Sequence, residues 1–215
     1  MEGVRSMKLT RQSRIPIYTA VVFVCVMCPL SAEAHLNSTG MGPIYDGLMH
    51  FLMSPEDLVP VLALALLSGL RGATYGRRTL FALPAAWLIG GLVGLAPLAS
   101  NGNAIISALW FLLLGGLLAA DAKLSLRVTT ALAVLLGLYH GYLNGAGLGL
   151  SFSSAAVLLG LIFAVFVLIA LAASFVVRLQ ASWARIAVRV AGSWIFASGL
   201  LLIGWAVRGA HGRAG

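Results

Sequence analysis

A chain of 215 residues that is 60% hydrophobic and 9% charged is not composed like a water-soluble domain, in which about a quarter of residues are charged. Its formal net charge of +8 is not a nucleic-acid footprint either, because the basic residues are scattered between apolar runs and not massed on one face. The composition leaves a polytopic integral membrane protein.

The first segment reads as a cleavable export signal. Arg5, Lys8, Arg11 and Arg14 form a basic region, Tyr18 to Leu30 an apolar one, and Ala32-Glu33-Ala34 a small-x-small cleavage site. Cleavage makes His35 the first mature residue. The competing reading, an uncleaved first helix, suffers from an apolar run shorter than the about 20 residues of a span and from Pro29 within it. The expected organisation is thus a signal peptide over 1–34 and a single transmembrane bundle domain over 35–215. Both cysteines, Cys25 and Cys28, fall in the signal segment. Their CxxC spacing invites a redox or metal reading, but they read as apolar filler. A metal handled by the mature chain would then be held through nitrogen and oxygen.

The mature chain reads as about six apolar spans, all helical, since helices satisfy their own backbone inside lipid and these runs are too evenly apolar for barrel strands. The first runs from Ile44 to Leu70, the second from Leu80 to Leu98 and the third from Ala104 to Ala120. The fourth covers Val128 to Ala146, the fifth Ser153 to Val177 and the sixth Ile186 to Val207. Connections are short and leave no room for a soluble domain. On span four, Gly137, Gly141 and Gly145 recur every fourth residue and offer one face for close helix contact.

Charge orients this bundle. Arg71, Arg77 and Arg78 follow span one, Lys123 and Arg127 follow span three, and Arg178, Arg185 and Arg189 follow span five. The opposite connections, Ala99 to Asn103 and Gly147 to Phe152, carry no charge. Positive-inside then places the mature N-terminus outside, periplasmic for a protein of the bacterial inner membrane. Arg208 and Arg213 dissent. Asp121, beside Lys123, is expected to be solvated, and His211 lies in a polar tail.

The remaining ionisable residues are the informative ones, because a polar group at membrane depth is costly and so a functional candidate. Asp46 and His50 are four apart, and Asp57 is seven beyond. On one continuous helix, at about 100° per residue, the three fall within roughly 40° of one another. Ser54-Pro55-Glu56-Asp57 is also a helix-start signature, with a capping Ser, Pro at the first position and acids in the first turn. Span one is therefore expected to break near Ser54, as transporter helices do where they build a site. The structural alternative is that Glu56 and Asp57 only cap a helix at the outer interface. Span four repeats the pattern with His140 and Asn144, again four apart. A lone intramembrane histidine is usually a packing residue. Two such pairs at matching depth together offer imidazole nitrogen and carboxylate oxygen, which suit nickel, cobalt or zinc. A free His35 could add a chelating amine and imidazole, or be a loose polar terminus.

These residues resemble the HupE/UreJ-type proteins, small membrane proteins regarded as nickel or cobalt permeases. The family pattern is a cleaved signal, an early histidine and a first-span motif H-P-x-x-G-x-D-H. The stretch from His50 to Leu58 is similar to a divergent form of it, with His50 and Asp57 retained, Phe51 in place of the proline and Leu58 in place of the last histidine. The fourth-span H-G-x-x-H-G looks like His140-Gly141-Tyr142-Leu143-Asn144-Gly145, with Asn144 for the second histidine. Arg189 to Trp194 looks like the opening of the family's last span. The resemblance covers essentially the whole mature chain. Two expected imidazoles are missing, so the site is richer in oxygen than the family's.

The expected function is a permease for a divalent transition metal, nickel or cobalt, with no tightly bound cofactor. Asp46 and Glu56 would guide the ion inward. His50, Asp57 and His140 would form a transient site, with Asn144 as a weaker ligand or orienting partner. Ligands bind deprotonated, so transport should weaken between about pH 7 and about pH 5. The alternatives are a non-transporting accessory protein for metalloenzyme maturation and a permease for a non-metal solute. The expected partners are the metal ion and the lipid bilayer, with a second copy of the chain or maturation proteins as protein partners and no nucleic acid. No G-x-S-x-G elbow or H-E-x-x-H run is present, and an enzyme is not expected.

Overall fold

A computed structural model describes residues 39–96, 103–149, 151, 153–179 and 182–211. The expected signal segment and His35 lie outside the described residues. Among the described residues the chain forms seven helices and no strand. They are α1 (Pro43–Met53), α2 (Pro55–Arg71), α3 (Ala73–Gly94), α4 (Ala104–Ala119), α5 (Leu126–Leu148), α6 (Ser154–Val177) and α7 (Ser182–His211).

Each expected span falls on helix, although the second stops at Gly94 and not at Leu98, and the first is divided where expected. α1 and α2 meet at Ser54 with a bend of 75°. The cause is local. Pro55 occupies the first position of α2, and the residue before a proline is pushed out of helical geometry, so Ser54 is extended at φ −99°, ψ 92°. The Ser54 side chain makes no cap hydrogen bond, contrary to the expected capping role. Its backbone carbonyl instead accepts from Asp57 and Leu58, each at 3.0 Å.

Three helical stretches are long and apolar enough to cross a membrane: α5, α6 and Trp183–Arg208 of α7. The bent pair α1–α2 makes a fourth if it counts as one broken span. α4, with 16 residues, rises only about 24 Å against an apolar thickness of about 30 Å. α3 begins seven residues before the expected second span. A single glycine, Gly72, joins it to α2 at φ 110°, a left-handed geometry that disfavours any side chain. Arg77 and Arg78 therefore stand in the first turns of α3 and not in a loop.

α2 is the hub and touches every other helix. Val61, Ala63, Leu64, Ala65 and Leu67 are wholly buried on it. The closest pair is α3 with α5, and the glycines expected to permit close contact do so. A Cβ on Gly141 would overlap the Trp87 carbonyl, and one on Gly145 the Gly91 carbonyl. The fit is reciprocal, since Gly90 and Gly94 of α3 abut the Leu138 and Tyr142 backbone of α5. Small residues supply such contacts where lipid gives helices no hydrophobic reason to associate. Gly47 and Gly160 join α1 to α6 in the same way.

One expectation about charge is corrected. Asp121 is not a free solvated group. Its carboxylate forms a partly buried ion pair with Arg71, whose Nη2 also reaches the Asp121 carbonyl at 3.4 Å. The pair ties the C-terminal end of α2 to the turn after α4. Asp121 sits at φ 49°, a conformation that Asp tolerates better than most residues.

Candidate functional site

The break at Ser54 places His50, near the end of α1, and Asp57, in the first turn of α2, against the C-terminal half of α5. There His140 and Asn144 lie one helical turn apart. The glycines at 137, 141 and 145 draw α5 onto α3 along this stretch, and His140 is 1% exposed. Asp57 is 4% exposed and Asn144 8%. A carboxylate in the first turn also faces the positive end of its helix.

A continuous hydrogen-bond chain links the four side chains. The Asp57 carboxylate accepts at Oδ1 from His140 Nδ1, at 2.7 Å. Its Oδ2 accepts from Asn144 Nδ2 at 2.9 Å. That amide nitrogen also donates to the His140 carbonyl at 2.9 Å, which holds the side chain back along α5. His50 Nε2 lies 3.0 Å from Asn144 Oδ1. An amide oxygen only accepts, so His50 donates from Nε2 and keeps Nδ1 as its acceptor. The two i, i+4 pairs do not stand side by side as independent ligands. Asn144 bridges one histidine to the carboxylate that orients the other.

This fixes the tautomer of a neutral His140. With its proton on Nδ1 toward Asp57, Nε2 carries a bare lone pair. That atom is buried and has no hydrogen-bond partner among the described residues. The ring stacks on Trp87 at 5.7 Å between centroids and is flanked by Trp110 at 6.4 Å. A carboxylate behind an imidazole, with the far nitrogen left open, is the arrangement that orients metal-ligating histidines. Asp57 therefore serves as orienting partner to His140, and both of its oxygens are already engaged.

The chain borders a cavity of about 140 Å³ lined by His50, Glu56, Asp57, Ser107, His140, Leu143, Asn144, Gly147 and Leu148. Glu56 stands exposed at its mouth. Ser107, from α4, is the lining polar residue that the sequence did not single out, and a lone serine in an apolar helix gives no signal. Trp87 was equally unmarked. Two cavities elsewhere are larger, but neither gathers histidine or carboxylate. Among the described residues, no three His, Cys, Asp or Glu side chains converge as a ready-made ion cage. Binding an ion here would require the hydrogen-bond chain to open.

Asp46 does not join this group. Its Oδ1 accepts from the Thr39 backbone at 2.6 Å and the Thr39 hydroxyl at 2.7 Å, one turn before His50 on α1, and it does not line the cavity. The 40° alignment of Asp46, His50 and Asp57 holds for a continuous helix, and the 75° bend removes it. His50, Glu56, Asp57, His140 and Asn144 are brought together; Asp46 is not.

A sequence-family model described as HupE / UreJ protein matches residues 22–202, a stretch that includes every residue of the hydrogen-bond chain. No curated protein and no solved structure matches the chain.

Proposed function

The chain belongs to the HupE/UreJ family, and from that premise we propose that it is a membrane permease for a divalent transition-metal ion, nickel or cobalt. The observation that carries this reading is the buried His140–Asp57 pair, with Nε2 of His140 buried and unpartnered on a residue that lines a cavity. A dry bundle has no structural need for a carboxylate, an amide and two imidazoles at one depth, and each is costly there.

In the proposed cycle an ion reaches the cavity past Glu56. His140 Nε2 supplies one free lone pair once the ring is uncovered. His50 supplies a second from Nδ1, which stays unprotonated while Nε2 donates to Asn144. The Asn144 oxygen becomes an available oxygen ligand only when His50 releases it. Asp57 stays behind His140 and balances charge. Imidazole and amide ligands suit borderline divalent ions better than calcium or magnesium. The broken helix gives the movement a hinge, since α1 can shift against α2 without distorting the hub.

The rest of the reading follows the sequence. The six helical units, with α1–α2 as one, would cross the bacterial inner membrane after removal of residues 1–34, with the mature N-terminus outside. The protein would act without a tightly bound cofactor and without catalysing a covalent reaction.

Cellular metal content tests the proposal. Wild type, His50→Ala and His140→Ala would be expressed at matched levels in a host lacking its own high-affinity importers. Mass spectrometry would then follow nickel, cobalt, zinc, copper, manganese and iron. One metal should rise with wild type and fall back in both variants. If correctly inserted wild type changes none of them, metal uptake is the wrong reading and a non-metal solute or an accessory role takes its place.

A further inference from the structure

A second cavity lies where α6 ends and α3 begins. It measures about 250 Å³. α3 contributes residues at positions 73, 76, 77 and 80, the i, i+3, i+4, i+7 spacing of one helix face. Its floor is apolar, with Leu80, Ile169 and Ala173, and its rim carries Ser174 and the two guanidinium groups of Arg77 and Arg178.

Three features decide what it fits. The first is charge. Neither arginine meets a carboxylate among the described residues. Asp46, Glu56 and Asp57 belong to α1 and the start of α2, and Asp121 is taken by Arg71. The second is depth. Arg178 directly follows the 24 predominantly apolar residues of α6, so its guanidinium stands where a membrane-crossing helix meets the headgroups. The third is the gradient from cationic rim to apolar floor. A free anion would use only the rim, whereas a phospholipid uses both.

The geometry points to a binding site for one anionic phospholipid in the α3–α6 groove, its phosphodiester between Arg77 and Arg178 and an acyl chain on Leu80, Ile169 and Ala173. Basic pockets between helices at this level hold anionic headgroups in that way. The site is remote from the His140–Asp57 pair and independent of the transport reading. Its lipid would brace the junction at Gly72 between the hub helix and α3.

Native mass spectrometry of the full-length protein in mild detergent tests it, with phosphatidylglycerol and phosphatidylcholine as probes and inorganic phosphate as competitor. Wild type should retain one phosphatidylglycerol in preference to phosphatidylcholine, and phosphate should not displace it. Arg77→Gln/Arg178→Gln should weaken retention by about 30-fold, taking each basic residue at its usual surface contribution. Ala170 also lines the groove, and Ala170→Phe, which fills it and keeps both arginines, should also weaken retention. Arg127→Gln/Arg185→Gln removes the same charge away from the groove and should leave it unchanged. The proposal is overturned if wild type holds the two lipids equally, or if phosphate displaces the lipid. It is also overturned if the charge-matched control loses as much as the groove variant, or if both groove variants bind like wild type. The wild-type preference decides the matter alone should a variant fail to fold.

Discussion

Asp57 Oδ1 and His140 Nδ1 lie 2.7 Å apart, across 83 residues of sequence and two helices, in a position almost closed to solvent. The contact depends on the break at Ser54, which starts α2 beside α5, and on the glycines that let α5 lie against α3. It gives Asp57 a structural duty, as acceptor for two side chains of α5. Asp57→Ala would leave His140 Nδ1 without its acceptor, at a cost of about 1–3 kcal/mol for a buried group, and would take from Asn144 Nδ2 one of its two acceptors. Asp57→Asn keeps the shape and one acceptor oxygen and should fall between. Thermal unfolding of the purified protein in detergent should rank the three as wild type, Asn, Ala. Equal melting temperatures would show that the pair contributes nothing to the fold.

Bulk should be poorly tolerated at a glycine of the α3–α5 contact and harmless at a glycine outside it. A side chain at Gly141 overlaps the Trp87 carbonyl, whereas a Cβ at Gly204 of α7 meets nothing within 4 Å. Gly141→Ala should destabilise by about 1–3 kcal/mol, as overpacking does, and should displace His140 from Asp57. Gly204→Ala should be neutral. Thermal unfolding of the two variants checks the contrast.

Much of this was legible in the sequence, for identifiable reasons. Proline reports on the residue before it, so Ser54-Pro55 announced the break. A four-residue spacing holds within one helix, so His140 with Asn144 and the glycines beside them read correctly. Asp46 did not, because its alignment with Asp57 assumed a helix that continues through the break. The ion pair of Arg71 with Asp121 was also hidden. Nothing local says that a turn after α4 meets the end of α2, and the nearer Lys123 was the more natural partner. The stack of Trp87 on His140 was invisible for the same reason, since it arises from the contact of two helices and not from either alone.

Asn144 should set the preference of the site. Asn144→His replaces an amide oxygen by an imidazole nitrogen, and the new N–H can still donate to Asp57. Nickel affinity should rise by roughly tenfold, within the range by which neighbouring groups tune metal sites. Isothermal titration of the purified protein with nickel measures it. Unchanged or weaker binding would mean that position 144 only orients Asp57.

The carboxylates of Glu56 and Asp46 should differ. Glu56 lines the cavity mouth, whereas Asp46 is engaged with Thr39 outside it. Glu56→Gln should slow uptake and reduce its dependence on ionic strength, as loss of a steering charge does. Asp46→Asn should leave uptake near wild type. Initial uptake rates at low and high salt separate the two, and an equal effect of both changes would refute the assignment.

The most direct test of the central claim is ion flux by the purified protein alone. Wild type and His140→Ala would be reconstituted into liposomes enclosing a metal-sensitive dye, and nickel or cobalt added outside. The account predicts saturable entry through wild type and none above background through His140→Ala. Metal binding without flux, or flux that survives loss of His140, would contradict it.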